Sequence, residues 1–191
     1  AGPCACRVGR MAVPGTLYYL LKVKGQNRYR PLNIYGEKKV ASTFHTKRGK
    51  QIPDTIYHVI RDFSLLNQNS DTIKFPADSN QITVVNFFYT RCPLLCKDIN
   101  KDLARVAKMY NNNRLMRFIS ISVDPDFDSP AVLAEYSKPY ISENKKWDFL
   151  TGDKDLIYSL AKTDFMVDAI ADTSGKANII HSPMFILIDP Q

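Results

Sequence analysis

Two cysteines, Cys92 and Cys96, stand one helical turn apart in the run VVNFFYTRCPLLC, and a histidine, His181, lies far downstream in IIHSP. Positions i and i+4 share a helix face. A helix beginning here would offer free N–H groups and about half a positive charge at its N-terminus. Arg91 adds a full charge beside Cys92. Both influences favour thiolate over thiol, and the thiolate is the nucleophile and the metal ligand.

Two thiolates one turn apart suit soft cuprous copper, and a nearby imidazole would also satisfy the cupric ion. His181 is the natural third donor, because it precedes the last apolar run in a loop that a parallel sheet would bring near the end of the central strand. The same thiols could instead close into a disulfide if Cys92 sits in the loop before the helix. Cysteines also pack as small hydrophobes. Arg91 before the pair and Pro93 within it, directly after a buried strand, argue against that plainer role. Asp124, in ISISVDPDFDS, is either an outer group beside the metal or a turn residue before Pro125. His45 and His58 read as structural. Neither Cys4-x-Cys6 nor the Cys92/Cys96 spacing matches a structural zinc pattern, and four cysteines are too few for a disulfide scaffold.

These residues need a frame. Ile82 to Tyr89 (ITVVNFFY) is a nearly unbroken β-branched and aromatic run, as in a strand buried on both faces. Leu94 to Tyr110 then has helical spacing, through Leu95, Ile99, Leu103, Val106, Ala107 and Tyr110. Met116 to Val123 reads as a second strand. Ser129 and Pro130 offer an N-cap and first residue for the helix AVLAEYSKPYI. Trp147 to Leu150 is a short strand, Asp153 to Lys162 a short helix and Met184 to Ile188 a final strand. Ahead of them, Ile56 to Leu66 and Thr72 to Phe75 form a hairpin about the polar turn at 67–71. Strands alternating with helices predict an α/β domain whose central sheet is mostly parallel and flanked by helices, with an N-terminal hairpin.

The 191 residues, 45% hydrophobic, suffice for one well-buried domain. The net charge of +7 is uneven: residues 1–50 carry eleven Lys and Arg against Glu37, and the rest is slightly acidic. That pattern excludes a basic nucleic-acid footprint on the folded part. Residues 1–53 read as a basic arm or linker, and 54–191 as the domain. Within the arm, Met11 to Leu21 is apolar but broken by Pro14 and Gly15, too short to span a bilayer. It reads as the stub of a membrane anchor whose upstream part is absent, with a disordered or surface-packed leader as the alternative. The first ten residues read as foreign to the fold.

VVNFFYTRCPLLC, ISISVDPDFDS and IIHSPMFILIDP together resemble, in order and spacing, the Sco (also SenC or PrrC) copper-chaperone family over residues 54–191. The resemblance implies a thioredoxin-like fold, with copper held by Cys92, Cys96 and His181 and Asp124 as a possible outer-sphere group. It implies supply or preparation of the copper A site of cytochrome c oxidase, with the oxidase subunit or another copper or thiol carrier as partner. Where the family often has an acidic residue and a later proline around the thiols, this chain has Leu94, Leu95 and Lys97. Where it often has Asp before the histidine, this chain has Ile180. A thiol:disulfide oxidoreductase is the alternative, and a thioredoxin-like peroxidase comes third. The chaperone reading makes the protein a carrier rather than an enzyme. The expected place is the bacterial periplasm at the inner membrane, or the mitochondrial intermembrane space. Thioredoxin-like folds usually continue past the last strand into a partner strand and a helix. This chain is therefore expected to be C-terminally incomplete relative to its family.

Overall fold

Ile82–Phe88 forms strand β5, buried along nearly its whole length, and Met116–Ser122 forms β6 parallel beside it. Between them runs α1, Cys96–Met109, and after β6 come α2, Pro130–Ile141, and β7, Trp147–Thr151, the latter parallel to β6. This computed structural model describes residues 19, 32–47, 49–76, 80–93, 96–141, 146–167, 169–171, 179–181 and 184–190, with backbone alone for 169–171 and 179–181. The chain divides into two units, Ala1–Glu37 and Lys38–Gln191. In the first, residues 32–37 have no regular structure, and Leu32 and Tyr35 are exposed. Cys4 and Cys6 lie outside the described residues, as does the apolar stretch 11–21 apart from Tyr19. Among the described residues no helix is long and apolar enough to cross a membrane.

The second unit begins with β1, Lys39–Lys47, and β2, Lys50–Ile56, an antiparallel ribbon turned at Gly49, whose φ of +77° favours glycine. The sequence pattern predicts a linker here, not a strand pair. The ribbon is exposed on both faces, so it carries none of the alternation that marks a half-buried strand. Next come β3, Phe63–Asn67, and β4, Thr72–Phe75, paired antiparallel. The Asn67 side chain accepts from the backbone N–H groups of Asn69 and Asp71, both at 2.9 Å, and Ser70 takes a φ of +65° in this turn. Residues 57–62, expected as strand, are tied elsewhere. The His58 ring hydrogen-bonds the Asp164 carbonyl at 2.9 Å, and Arg61 donates its backbone N–H to the Asp164 carboxylate at 3.0 Å.

The main sheet has six strands in the order β10-β5-β6-β7-β3-β4, with β10 formed by Ile186–Ile188. It is mixed, not mostly parallel as expected. β5–β6 and β6–β7 are parallel, whereas β10–β5, β7–β3 and β3–β4 are antiparallel. A parallel neighbour needs a long crossover, and only α1 and α2 supply one between adjacent strands. After β7 the chain forms α3, Lys154–Ser159, capped by the Asp153 side chain, and then one wide π turn, Leu160–Asp164. The strands β8, Ala169–Ala171, and β9, Ile179–His181, make a separate antiparallel pair.

Neighbouring residues on a strand face opposite ways, so Phe87 and Phe88 divide the core. On one face Tyr136 of α2 stacks on Phe88 with ring centroids 5.3 Å apart, and Tyr140, Trp147 and Phe149 continue the cluster. On the other, Phe165 meets Phe87 edge-on at 5.3 Å and joins Phe63 and Phe75. Helix α2 thus covers one face and the residue that ends the π turn packs on the other, and the carboxyl ends of β5 and β6 emerge between them.

Candidate functional site

β5 ends at Phe88 and turns through Tyr89, Thr90 and Arg91 to Cys92, whose backbone N–H donates to the Tyr89 carbonyl at 3.3 Å. Cys96 is the first residue of α1. Neither of these two cysteines is in a disulfide: Cys92 is half-buried, and Cys96 is buried. Their side chains hydrogen-bond to one another, so the two sulfurs form one group at the strand end. Leu94 and Leu95, between them, lie outside the described residues.

The expected ionisation of this pair is corrected at Cys96. Burial pushes its thiol up to about 12, with the hydrogen bond to Cys92 acting in the same direction. The helix end does not overcome that desolvation. Nor is Arg91 committed to the thiols. Its Nε and Nη2 both donate to Oδ2 of Asp124, at 3.2 and 2.6 Å, and its guanidinium stands 4.2 Å above the Phe127 ring. Tyr89, also buried, has its hydroxyl raised to about 12, first by desolvation and then by Cys92, whose side chain it hydrogen-bonds.

Asp124 therefore belongs to the neighbourhood of the thiols through Arg91. It is 8% exposed, and its backbone N–H donates to Ser122 Oγ at 3.1 Å. The Ser129 hydroxyl caps α2 by accepting from the Val132 N–H at 3.5 Å. His181 is described only by its backbone, in β9 opposite Ala169, and its ring lies outside the described residues. Among the described residues no group of three or more His, Cys, Asp and Glu side chains could hold a metal ion. His45 pairs with Asp54 at 2.6 Å on the exposed ribbon.

Several residues at the site escaped the sequence reading. A buried polar chain runs beneath it. Trp147 Nε1 donates to Ser120 Oγ at 2.8 Å, and Ser120 donates to Asn86 Oδ1 at 2.6 Å. Asn86 Nδ2 then donates to Asn100 Oδ1 at 3.1 Å, and Asn100 Nδ2 to Tyr136 Oη at 3.0 Å. This chain joins β7, β6 and β5 to α1, the helix that carries Cys96, and then to α2. The available signal was a set of small polar residues, Asn86, Ser120 and Ser122, inside otherwise apolar buried runs. Asp128 is also at the site and fully buried.

The arrangement can close a disulfide between adjacent thiols or offer two sulfur ligands to a soft ion. The SCO1/SenC family model matches residues 53–191. The chain is 26% identical over 144 residues to the SCO1 protein homolog of Bacillus subtilis, covering 74% of each chain. Among solved structures it is similar to ScoI of Bradyrhizobium japonicum with copper bound, at 26% identity and a TM-score of 0.59, over 69% of this chain and 83% of that one. It is also similar to BsSco, described as a member of the Sco family of cytochrome c oxidase assembly proteins and as having a disulfide switch. There the identity is 27% and the TM-score 0.60, over 70% of this chain and 78% of that one.

Proposed function

Because this chain belongs to the SCO1/SenC family, we propose that it carries copper for assembly of the copper A site of cytochrome c oxidase, binding the ion through Cys92, Cys96 and His181. The observation that carries the reading is the hydrogen bond between the two thiols, one in the turn after β5 and one opening α1. Similarity to a copper-bound relative and to an oxidase-assembly relative supports it. We read the domain as thioredoxin-like, spanning 54–191, with β3 and β4 as its N-terminal hairpin and 1–53 as a basic arm. Its place is at a membrane facing the periplasm or the intermembrane space.

In this reading a cuprous ion arriving from a donor displaces the proton of Cys96 and is held by the sulfurs of Cys92 and Cys96. The His181 imidazole completes the set and is needed most by the harder cupric ion. Asp124 does not ligate. It holds Arg91, and with it the chain next to Cys92.

Titration of the reduced protein with cuprous and cupric ions tests this. Stoichiometric binding should vanish in Cys92→Ser and Cys96→Ser, while His181→Ala weakens cupric more than cuprous binding. Copper retained by either cysteine variant would overturn the assignment, and equal loss of both oxidation states in His181→Ala would overturn the histidine's role.

A second reading, thiol:disulfide exchange with partner cysteines, is favoured by the direct hydrogen bond between the thiols. Oxidation would join the two sulfurs and release two protons and two electrons to a partner disulfide, which becomes two thiols. A pair that reduces a partner disulfide stoichiometrically yet takes up no copper would favour it.

A further inference from the structure

Asp128 has no exposed surface, yet its carboxylate faces the turn that carries the first thiol. Oδ2 accepts the Thr90 backbone N–H at 3.0 Å, and Oδ1 accepts the Thr90 hydroxyl. The Ser122 hydroxyl also donates to Oδ2, and the same Ser122 oxygen accepts the Asp124 N–H at 3.1 Å. The Asp128 N–H in turn donates to the Asp124 carbonyl at 2.9 Å. One short loop after β6 therefore grips both residues before Cys92: Asp128 holds Thr90, and Asp124 holds Arg91.

We infer that Asp128 is a positioning residue for the dithiol, fixing the Thr90–Cys92 turn so that the Cys92 sulfur stays against Cys96. The inference rests on the reading of these two cysteines as the working thiols. A carboxylate placed in the core is satisfied only by donors, and here Thr90 supplies two of the three side-chain contacts. Those contacts fall two residues before a sulfur whose partner, Cys96, is fixed separately by the first turn of α1 and by Asn100 below it. Losing the grip on Thr90 frees one sulfur and leaves the other in place. The effective concentration of one thiol at the other then falls, and the disulfide becomes easier to reduce.

Oδ2 meets a backbone donor, whereas Oδ1 meets a hydroxyl that can also accept. An asparagine with its oxygen at the Oδ2 position and its amide toward Thr90 Oγ1 keeps the grip, and alanine does not. The full chain is compared with Asp128→Ala, Asp128→Asn, Thr90→Val and Asp148→Ala. Asp148 supplies the control, because its ion pair with Arg117 lies at the opposite ends of β6 and β7. Each protein is equilibrated against reduced and oxidised dithiothreitol, and the oxidised fraction gives the potential of the Cys92/Cys96 couple. Melting temperature is recorded beside it.

Asp128→Ala should lower the equilibrium constant for disulfide formation about tenfold, read as a potential raised by about 30 mV. Thr90→Val should move it in the same direction by less, and Asp128→Asn should stay near the parent. Asp148→Ala should melt earlier with its potential unchanged. If Asp128→Ala fails to fold, the Thr90→Val shift carries the test. Potentials unmoved in both, or moved equally by Asp148→Ala, would overturn the inference. A parent protein that takes up no copper but shows this pattern of potentials would sink the copper reading and leave the role of Asp128 standing.

Discussion

Arg91 closes on Asp124 with Nη2 2.6 Å from Oδ2, so the cation next to Cys92 in sequence is spent on a carboxylate from the neighbouring loop. Asp124 is the more enclosed partner, with 10% of its side chain exposed against 44% for Arg91. Removing the arginine strands a nearly buried carboxylate, whereas removing both residues does not. Arg91→Ala should unfold at a lower urea concentration than the parent, and Arg91→Ala/Asp124→Ala should lose less than the sum of the single variants. Strict additivity in that double-mutant cycle would show that the pair does not couple.

Alkaline pH should weaken the reduced, copper-free protein. The Cys96 thiol rises from 9.0 to about 12 on folding, so the native state holds its proton more tightly than the unfolded chain does. The resulting stabilisation is complete below about 9 and disappears as pH climbs toward about 12. Tyr89, raised from 10.0 to about 12, acts in the same sense. Urea midpoints measured from neutral to strongly alkaline pH should fall, and Cys96→Ala should flatten the slope. An unchanged slope in that variant would exclude Cys96 as a source.

Copper uptake should release protons. At neutral pH Cys96 enters the reaction as a thiol, so cuprous binding must displace at least ~1 proton from it. Calorimetric titration in buffers of different ionisation enthalpy measures that number directly. The apparent affinity should tighten with rising pH by about tenfold per pH unit for each proton displaced. Binding that is independent of pH and of buffer would contradict ligation through Cys96.

The buried chain from Trp147 to Tyr136 should respond unevenly to loss of its middle and loss of one end. Asn86→Ala removes the central link and leaves Ser120 and Asn100 facing a void, at a cost of about 2–4 kcal/mol. Trp147→Phe orphans a single hydroxyl partner and should cost about 1–2 kcal/mol. Equilibrium urea unfolding separates these values, and equal costs would argue against a connected chain. Asn86→Ala should also weaken copper binding, because Asn100 sits one turn from Cys96 on α1.

Much of the frame was legible where burial and sequence period agree. ITVVNFF announces a strand because both its faces are covered, and Ser129-Pro130 marks the start of α2 because the cap is local chemistry. Strand direction was not legible. Ile186–Ile188 has the same composition whichever way it lies against β5, and the antiparallel choice depends on the path of the intervening chain. The ribbon β1–β2 was hidden for the opposite reason, since neither face is buried. At the site, the thiol pair was visible from its spacing. The protonation of Cys96 was not, because nearby sequence supplies the helix end and Arg91, while tertiary packing supplies the desolvation and redirects the arginine. Asp128 went unnoticed because its partners are a backbone N–H and two hydroxyls, which no motif records.

Among the described residues, strand β10 pairs with β5 only at Thr83, Val84 and Val85, the half farthest from the thiols. From Asn86 to Phe88 the ladder described for β5 continues with β6 alone. In the ladder of the described residues, β5 is clamped from two sides at its root and from one side at its tip. Amide deuterium uptake should grade along it, slowest at Val84 and Val85 and quicker toward Phe88, so the strand becomes more compliant as it approaches Cys92. The grip of Asp128 on Thr90 and of Asp124 on Arg91 then supplies, beyond the strand, the restraint that the tip of the sheet lacks.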